Sequence, residues 1–192
     1  KEGKKMKIYN KDEYRLNEPK LISKIREGAI FIYPTDTIYG IGCNAKNHEA
    51  VKKIREIKGN FMRPFSIMVP SIEWITDHCD LIQTEEEWLD KLPGPYTFIL
   101  NLKYKESVAD SVTNKDTIGV RIPDHWCTNI AKAAKVPIIT TSANLSGGLF
   151  MTSLKTLNDK VRKEVDFMID VGEISGRPST IINLLDGDVI ER

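Results

Sequence analysis

Uninterrupted apolar runs alternate along the chain with stretches where apolar residues return every three or four positions. Leu21, Ile22 and Ile25 follow Pro19 at helical spacing and precede Gly28, so residues 19–27 read as a helix. Ala29–Tyr33 is apolar throughout and reads as a buried strand. Val51, Ile54 and Ile57 recur every three residues, with Lys52, Lys53, Arg55 and Lys58 between them. That predicts an amphipathic helix with a basic outer face, closed by Gly59. Phe65–Val69 reads as the next strand. Ser71 and Thr84 read as caps of two short helices, Thr84 forming a capping box with Glu87. The turn Leu92–Pro95 leads into a strand over Tyr96–Leu102, and Thr117–Ile122 is another strand. Asp124 reads as the cap of a helix to Ala134, with Trp126 and Ile130 turned inward. Val136–Thr141 is a strand, and Thr152 or Ser153 opens a helix to about Val165. Phe167–Val171 and Thr180–Leu185 are strands, and Asp186-Gly187 signals a hairpin into Val189–Glu191.

Helices and strands alternate through the first two-thirds, and strands dominate the rest. This predicts a single α/β domain over residues 1–192, with a twisted mixed parallel and antiparallel sheet flanked by helices. A chain of 192 residues is long enough to bury a real core. Residues 1–7, rich in lysine, read as a tag remnant or a disordered lead. The net charge of +1 gives no global attraction to nucleic acid or to a membrane surface, although charge can still be segregated by face. No apolar run approaches the roughly 20 residues that span a bilayer. Cys43, Cys79 and Cys127 are odd in number and widely spaced, as in a cytoplasmic protein with reduced, packed thiols. His78-Cys79 is the one close pair of metal-ligand types and lacks the repeated spacing of a zinc site, so no metal site is expected.

Small polar side chains gather where the apolar strands end. Phe31–Tyr33 runs into Pro34-Thr35-Asp36-Thr37. Such residues either close a turn on their own backbone or hold a ligand at the rim of a sheet. The strand beginning at Val136 runs into Thr140, Thr141, Ser142, Asn144, Ser146, Gly147 and Gly148. That is a glycine-rich turn or a cradle of backbone N–H groups for an anion. It lacks the Gly-Lys-Ser/Thr end of a Walker loop. Ser179 and Thr180 stand beside a third apolar strand. Lys58 and Arg63 follow the basic helix, where cations also suit the helix dipole. Arg121 falls in phase with Thr117 and Gly119, and its planar fork suits a carboxylate or phosphate. Together these groups fit an anionic ligand that combines an amino acid with a nucleotide.

The segments YPTDTIYGIG, IREIKG, LPGPYTFIL, TIGVRIPDH, TTSANLSGG and PSTIIN, in this order, resemble the YrdC-like family of threonylcarbamoyl-AMP synthases. The resemblance runs from about Ile30 to the C-terminus. It implies a YrdC-like fold with a large concave basic cavity, and a reaction in which L-threonine, bicarbonate and ATP give threonylcarbamoyl-AMP and pyrophosphate. A downstream tRNA threonylcarbamoyltransferase would consume the product. By the same resemblance, Thr35, Arg121, Thr140 and Ser179 hold L-threonine, with Arg121 on its carboxylate. Lys58, Thr117, Ser142, Asn144 and Arg192 hold ATP. Lys58 and Arg63 are the expected catalytic cations, neutralising the phosphates together with Mg²⁺. Asp36 is a candidate base, although an Asx turn is the stronger reading. The pattern departs where the family has a basic residue and this chain has Asn60, with Arg63 expected to supply the charge. Met68 stands where some members have histidine. A YciO-like, RNA-binding protein is the alternative, with Lys52, Lys53, Lys58 and Arg63 as a footprint for tRNA or double-stranded RNA.

Overall fold

The computed structural model describes residues 4–192. In chain order the elements are β1 (Lys7–Tyr9), α1 (Lys11–Arg26), β2 (Phe31–Tyr33), β3 (Gly40–Gly42), α2 (His48–Lys58), β4 (Ser66–Met68), α3 (Ile72–His78), β5 (Cys79–Asp80), α4 (Gln83–Glu86), β6 (Tyr96–Leu102), β7 (Thr117–Arg121), α5 (Thr128–Ala134), β8 (Ile138–Ser142), α6 (Asp159–Glu164), β9 (Phe167–Ile169), β10 (Thr180–Asn183) and β11 (Val189–Ile190). The strands form one mixed sheet in the order β1-β9-β2-β3-β8-β4-β7-β6-β10-β11, with β5 added to β6. β9 runs parallel to β1 and β2, β7 to β4, and β10 to β6, while the remaining neighbours are antiparallel.

The two-residue period of a strand sorts the core into two layers. Phe31 and Tyr33 pack on one face with Leu21, Ile22 and Ile25 of α1 and Ile130, Ala131 and Ala134 of α5. Ile30 and Ile32 point to the other face, with Val51 and Ile54 of α2 and Val161 of α6. Fully burying one such side chain contributes about 1.5–3 kcal/mol, so a strand that feeds both layers is strongly specified in register.

Several expectations are corrected at element ends. α1 starts at Lys11 and not near Pro19, because Asn10 and Glu13 cap it reciprocally: each side chain accepts the other's backbone N–H at 2.8 Å. Pro19 lies inside the helix on its exposed face, as does Arg15, whose carbonyl loses its helical partner. β3 was not expected, since two of its three residues are glycines. Gly42 is required there: a Cβ would stand 2.5 Å from the Ile139 carbonyl and 2.8 Å from the Tyr33 ring. Thr84 sits within α4, and the cap is two residues earlier at Ile82, whose N–H is accepted by Glu85 at 2.9 Å. α5 begins at Thr128, so Asp124 does not cap it. A single 3₁₀ turn, Leu154–Thr156, precedes α6, which Asn158 caps. Arg55 and Lys58 are buried and leave the predicted basic face to Lys52 and Lys53. Of the segment 1–7, residues 1–3 lie outside the described residues, Met6 is buried and Lys7 opens β1.

Candidate functional site

Register across the sheet brings polar residues from separate strands onto one face. Ser66 of β4 lies opposite both Gly119 of β7 and Thr140 of β8. Gly119 keeps this floor open, because a Cβ there would meet Ser66 Oγ at 2.5 Å and Thr97 at 3.2 Å. Above the floor is a pocket of about 260 Å³, lined by Thr35, Arg63, Thr97, Arg121, Thr140 and Arg192 among others. Ser142 and Ser179 also line it. Among the described residues, three arginines border this space and no Asp or Glu does.

Arg121 ends β7 and is 5% exposed. Its Nη2 pairs with Asp36 Oδ1, and Nη1 reaches Thr37 Oγ1 at 3.4 Å. Its Nε is buried and, among the described residues, has no hydrogen-bond partner. A buried guanidinium N–H without a partner is costly, so a carboxylate or phosphate oxygen has something to gain there. Asp36 makes no Asx turn and is not a free base: its second oxygen accepts the Asp124 N–H at 3.1 Å. It acts as a bracket between the end of β2, Arg121 and the turn after β7.

Thr35 lines the pocket, but its hydroxyl is engaged within its own turn. It donates to the Ile38 carbonyl at 2.6 Å and accepts the Thr37 and Ile38 N–H groups at 3.1 and 3.2 Å. A hydroxyl has one donor and two acceptor sites, so the turn satisfies it. Across the pocket, Ser179 Oγ is 2.7 Å from Thr97 Oγ1. Arg192 donates to the Ser179 carbonyl from Nε (3.3 Å) and Nη2 (3.2 Å), and from Nη2 to Ser179 Oγ (3.2 Å). Burial lowers the pKa of Arg192, and the nearby charge of Arg121 lowers it further. Two guanidinium groups that repel each other across one space favour an anion between them.

Lys58, Ser142 and Asn144 come together behind this pocket. Lys58 Nζ donates to the carbonyls of Ser142 (2.5 Å) and Asn144 (2.9 Å), and reaches Asn144 Oδ1 at 3.4 Å. Ser142 Oγ donates to Asn144 Oδ1, and Asn144 Nδ2 donates to the Gly148 carbonyl at 2.8 Å. Burial lowers the Lys58 pKa to about 8. Thr117 is not brought to the pocket. It lies about 13 Å along β7 from Arg121, at about 3.3 Å per residue, and its carbonyl accepts from Thr113 Oγ1 at 3.1 Å. Arg63 lines the pocket, and among the described residues its side chain makes no hydrogen bond or ion pair.

A family model for Sua5, YciO and YrdC proteins, described as telomere recombination, matches residues 23–191. A Methanocaldococcus jannaschii protein, provisionally named threonylcarbamoyl-AMP synthase, is 40% identical over 98% of this chain and 91% of its own length. The chain belongs to the Sua5/YciO/YrdC family. Within this family it is also similar to a threonylcarbamoyl-AMP synthase of Pyrococcus abyssi, 36% identical over 84% of this chain and 49% of the relative. The crystal structure of P. abyssi Sua5 complexed with L-threonine superposes with a TM-score of 0.85 and 31% identity, covering 97% of this chain and 56% of that one. The chain thus spans about half the length of that Pyrococcus protein. E. coli YciO, at 24% identity and a TM-score of 0.80 over 97% of this chain and 92% of that one, shares the fold.

The expected site residues did not include Thr97 or Ser66, although Thr97 lies within the segment LPGPYTFIL. Thr97 and Ser66 line the pocket as single polar residues inside apolar runs. A lone hydroxyl residue in an otherwise apolar strand was the available signal. Lys52 and Lys53 lie beside Glu49 (3.9 Å) and Glu164 (3.6 Å), and Lys58 turns inward. The four cations expected as an RNA footprint therefore do not share one open surface. Among the described residues, no group of three or more His, Cys, Asp and Glu could hold a metal, and no helix is long and apolar enough to cross a membrane.

Proposed function

We propose that the chain is an L-threonylcarbamoyladenylate synthase, a nucleotidyltransferase that uses L-threonine, bicarbonate and MgATP. Membership of a family with threonylcarbamoyl-AMP synthases among its relatives supports this reading. The observation that carries it is the buried, unpartnered Nε of Arg121 in a pocket bordered by three arginines and ringed by hydroxyls. Threonine's carboxylate takes that N–H, and Thr140 and Ser179 flank the amino acid. The hydroxyl of Thr35 shapes the turn that presents Thr37 and Arg121. The small residues of the Ser142–Gly148 loop admit phosphates close to the backbone. Arg63 and Arg192 neutralise their charge, and magnesium enters as part of the nucleotide substrate.

The chemistry is then positioning and charge stabilisation. Threonine's neutral amine attacks the carbon derived from bicarbonate, which loses water, and a carbamate forms. A carbamate oxygen attacks the α-phosphorus of ATP, a new P–O bond forms, and pyrophosphate leaves with the electrons of the broken P–O bond. A cavity lined by cations keeps the labile carbamate beside the phosphorus. A cytoplasmic place upstream of a tRNA threonylcarbamoyl transfer step follows from the product. The test is pyrophosphate release by the purified chain: it requires threonine, bicarbonate and ATP together. ATP turnover indifferent to threonine contradicts the reading.

A further inference from the structure

α2 carries a buried cation, Arg55, that lies within the IREIKG segment but has no role among the expected site residues. Arg55 is 8% exposed and has no carboxylate partner among the described residues. Its guanidinium instead donates to four carbonyls on two separate loops: Ser111 (2.6 Å) and Val112 (3.0 Å), then Asn60 (3.2 Å) and Arg63 (3.0 Å). Its planar face lies 4.1 Å over the Phe65 ring. The same residue's carbonyl accepts the Asn60 N–H at 3.1 Å. Asn60 closes the rest of the loop, its Oδ1 accepting the N–H of Arg63 at 3.0 Å and of Met62 at 3.3 Å. Arg63 is therefore gripped at both its N–H and its carbonyl, while its side chain stays free at the pocket.

An apolar side chain could fill this slot without the cost of burying a charge. What methionine or leucine cannot do is bridge two loops through four carbonyls in one plane. Lysine cannot do it either, because its three donors radiate from a single point. We propose that Arg55 is a positioning residue of the nucleotide half of the site: it fixes the Asn60–Arg63 loop so that Arg63 meets the phosphates of ATP. This rests on the synthase reading, and it assigns Asn60 a loop-closing role in place of a phosphate contact.

The test is a double-mutant cycle on the full chain, with KM for ATP and for threonine read from pyrophosphate release. Arg55→Met raises the KM for ATP about tenfold and leaves the KM for threonine within about twofold. Arg55→Lys does not restore it. Arg63→Met gives a similar rise, and the double variant is no worse than Arg63→Met alone, because Arg55 acts through Arg63. Amide exchange at residues 60–63 speeds up in Arg55→Met well below its melting temperature. Parallel rises in both KM values, rescue by lysine, or full additivity would overturn the proposal. If Arg55→Met does not fold, Arg55→Lys runs the same cycle. If the wild-type chain shows no threonine-dependent release, the synthase reading falls by itself. Exchange at residues 60–63 then decides for Arg55, and unchanged exchange in the variant refutes it.

Discussion

Two charged side chains, Arg121 on the pocket wall and Lys58 behind it, are treated in opposite ways. Arg121 is held by Asp36 and Thr37 along one edge, and its Nε is left buried without a partner. The donors of Lys58 are directed to oxygens of its own chain, at Ser142 and Asn144. The first wall is preorganised for a ligand, because an incoming oxygen gains a bond without breaking one. The second is a closed network, where an incoming phosphate must compete with carbonyls that already hold the cation. The amino-acid half should therefore bind as a rigid fit, and the nucleotide half by partner exchange around Ser142–Gly148.

The largest effect tests the first wall. Arg121→Met should lower threonine-dependent turnover at least about 1000-fold and destabilise the fold by up to about 3 kcal/mol, because the part-buried Asp36 carboxylate loses its counter-charge. Adding Asp36→Asn should return most of the stability and none of the activity, read by thermal melts beside pyrophosphate release. Recovery of activity in the double variant would show that Arg121 serves only to neutralise Asp36. Next in size, Asp36→Asn alone should raise the KM for threonine about 10–100-fold and leave the KM for ATP within about twofold, since it frees Arg121 from its bracket.

The second wall is sensitive to pH. Burial holds the pKa of Lys58 at about 8, below the ordinary lysine value. The folded protein loses this proton first, so between about pH 8 and the ordinary value the unfolded chain binds more protons. The contribution of this group to stability then rises with pH. Function runs the other way: the KM for ATP should rise about tenfold per pH unit above 8 without a matching fall in melting temperature. Lys58→Arg, which keeps its charge, should flatten that rise. Smallest is Ser179→Ala, which removes a hydroxyl shared by Thr97 and Arg192. It should cost about threefold to fivefold in kcat/KM for threonine, in line with one neutral hydrogen bond.

Much of this arrangement was legible in the sequence, for a physical reason. A strand buried on both faces has to be apolar, so the runs at β2, β6 and β8 stood out, and hydroxyl residues at their ends were conspicuous by contrast. Thr35 and Thr140 stood out that way, Ser179 stood beside β10, Arg121 was marked by its phase on β7, and the family resemblance joined the four; all of them line one pocket. What escaped was set by tertiary contact. Gly40 and Gly42 were assigned to no element, yet they form β3 because Tyr33 and β8 pack against their backbone. Arg55 and Lys58 fit a basic helix face by spacing, but loops of which periodicity carries no record cover them with carbonyls. Thr117 shared the phase of Arg121 but not its end of β7, since phase fixes the face of a strand and not the position along it.

The contrast between the two walls can be measured directly by residue-resolved amide spectra of the full chain during two titrations. L-threonine alone should shift Thr37, Asp36 and Arg121 and leave Ser142–Gly148 in place. Adding MgATP afterwards should move Ser142–Gly148 together with the Lys58 side-chain signal, as its carbonyl bonds give way to phosphate. Threonine that remodels Ser142–Gly148 by itself, or MgATP that binds without disturbing the Lys58 network, would contradict the account.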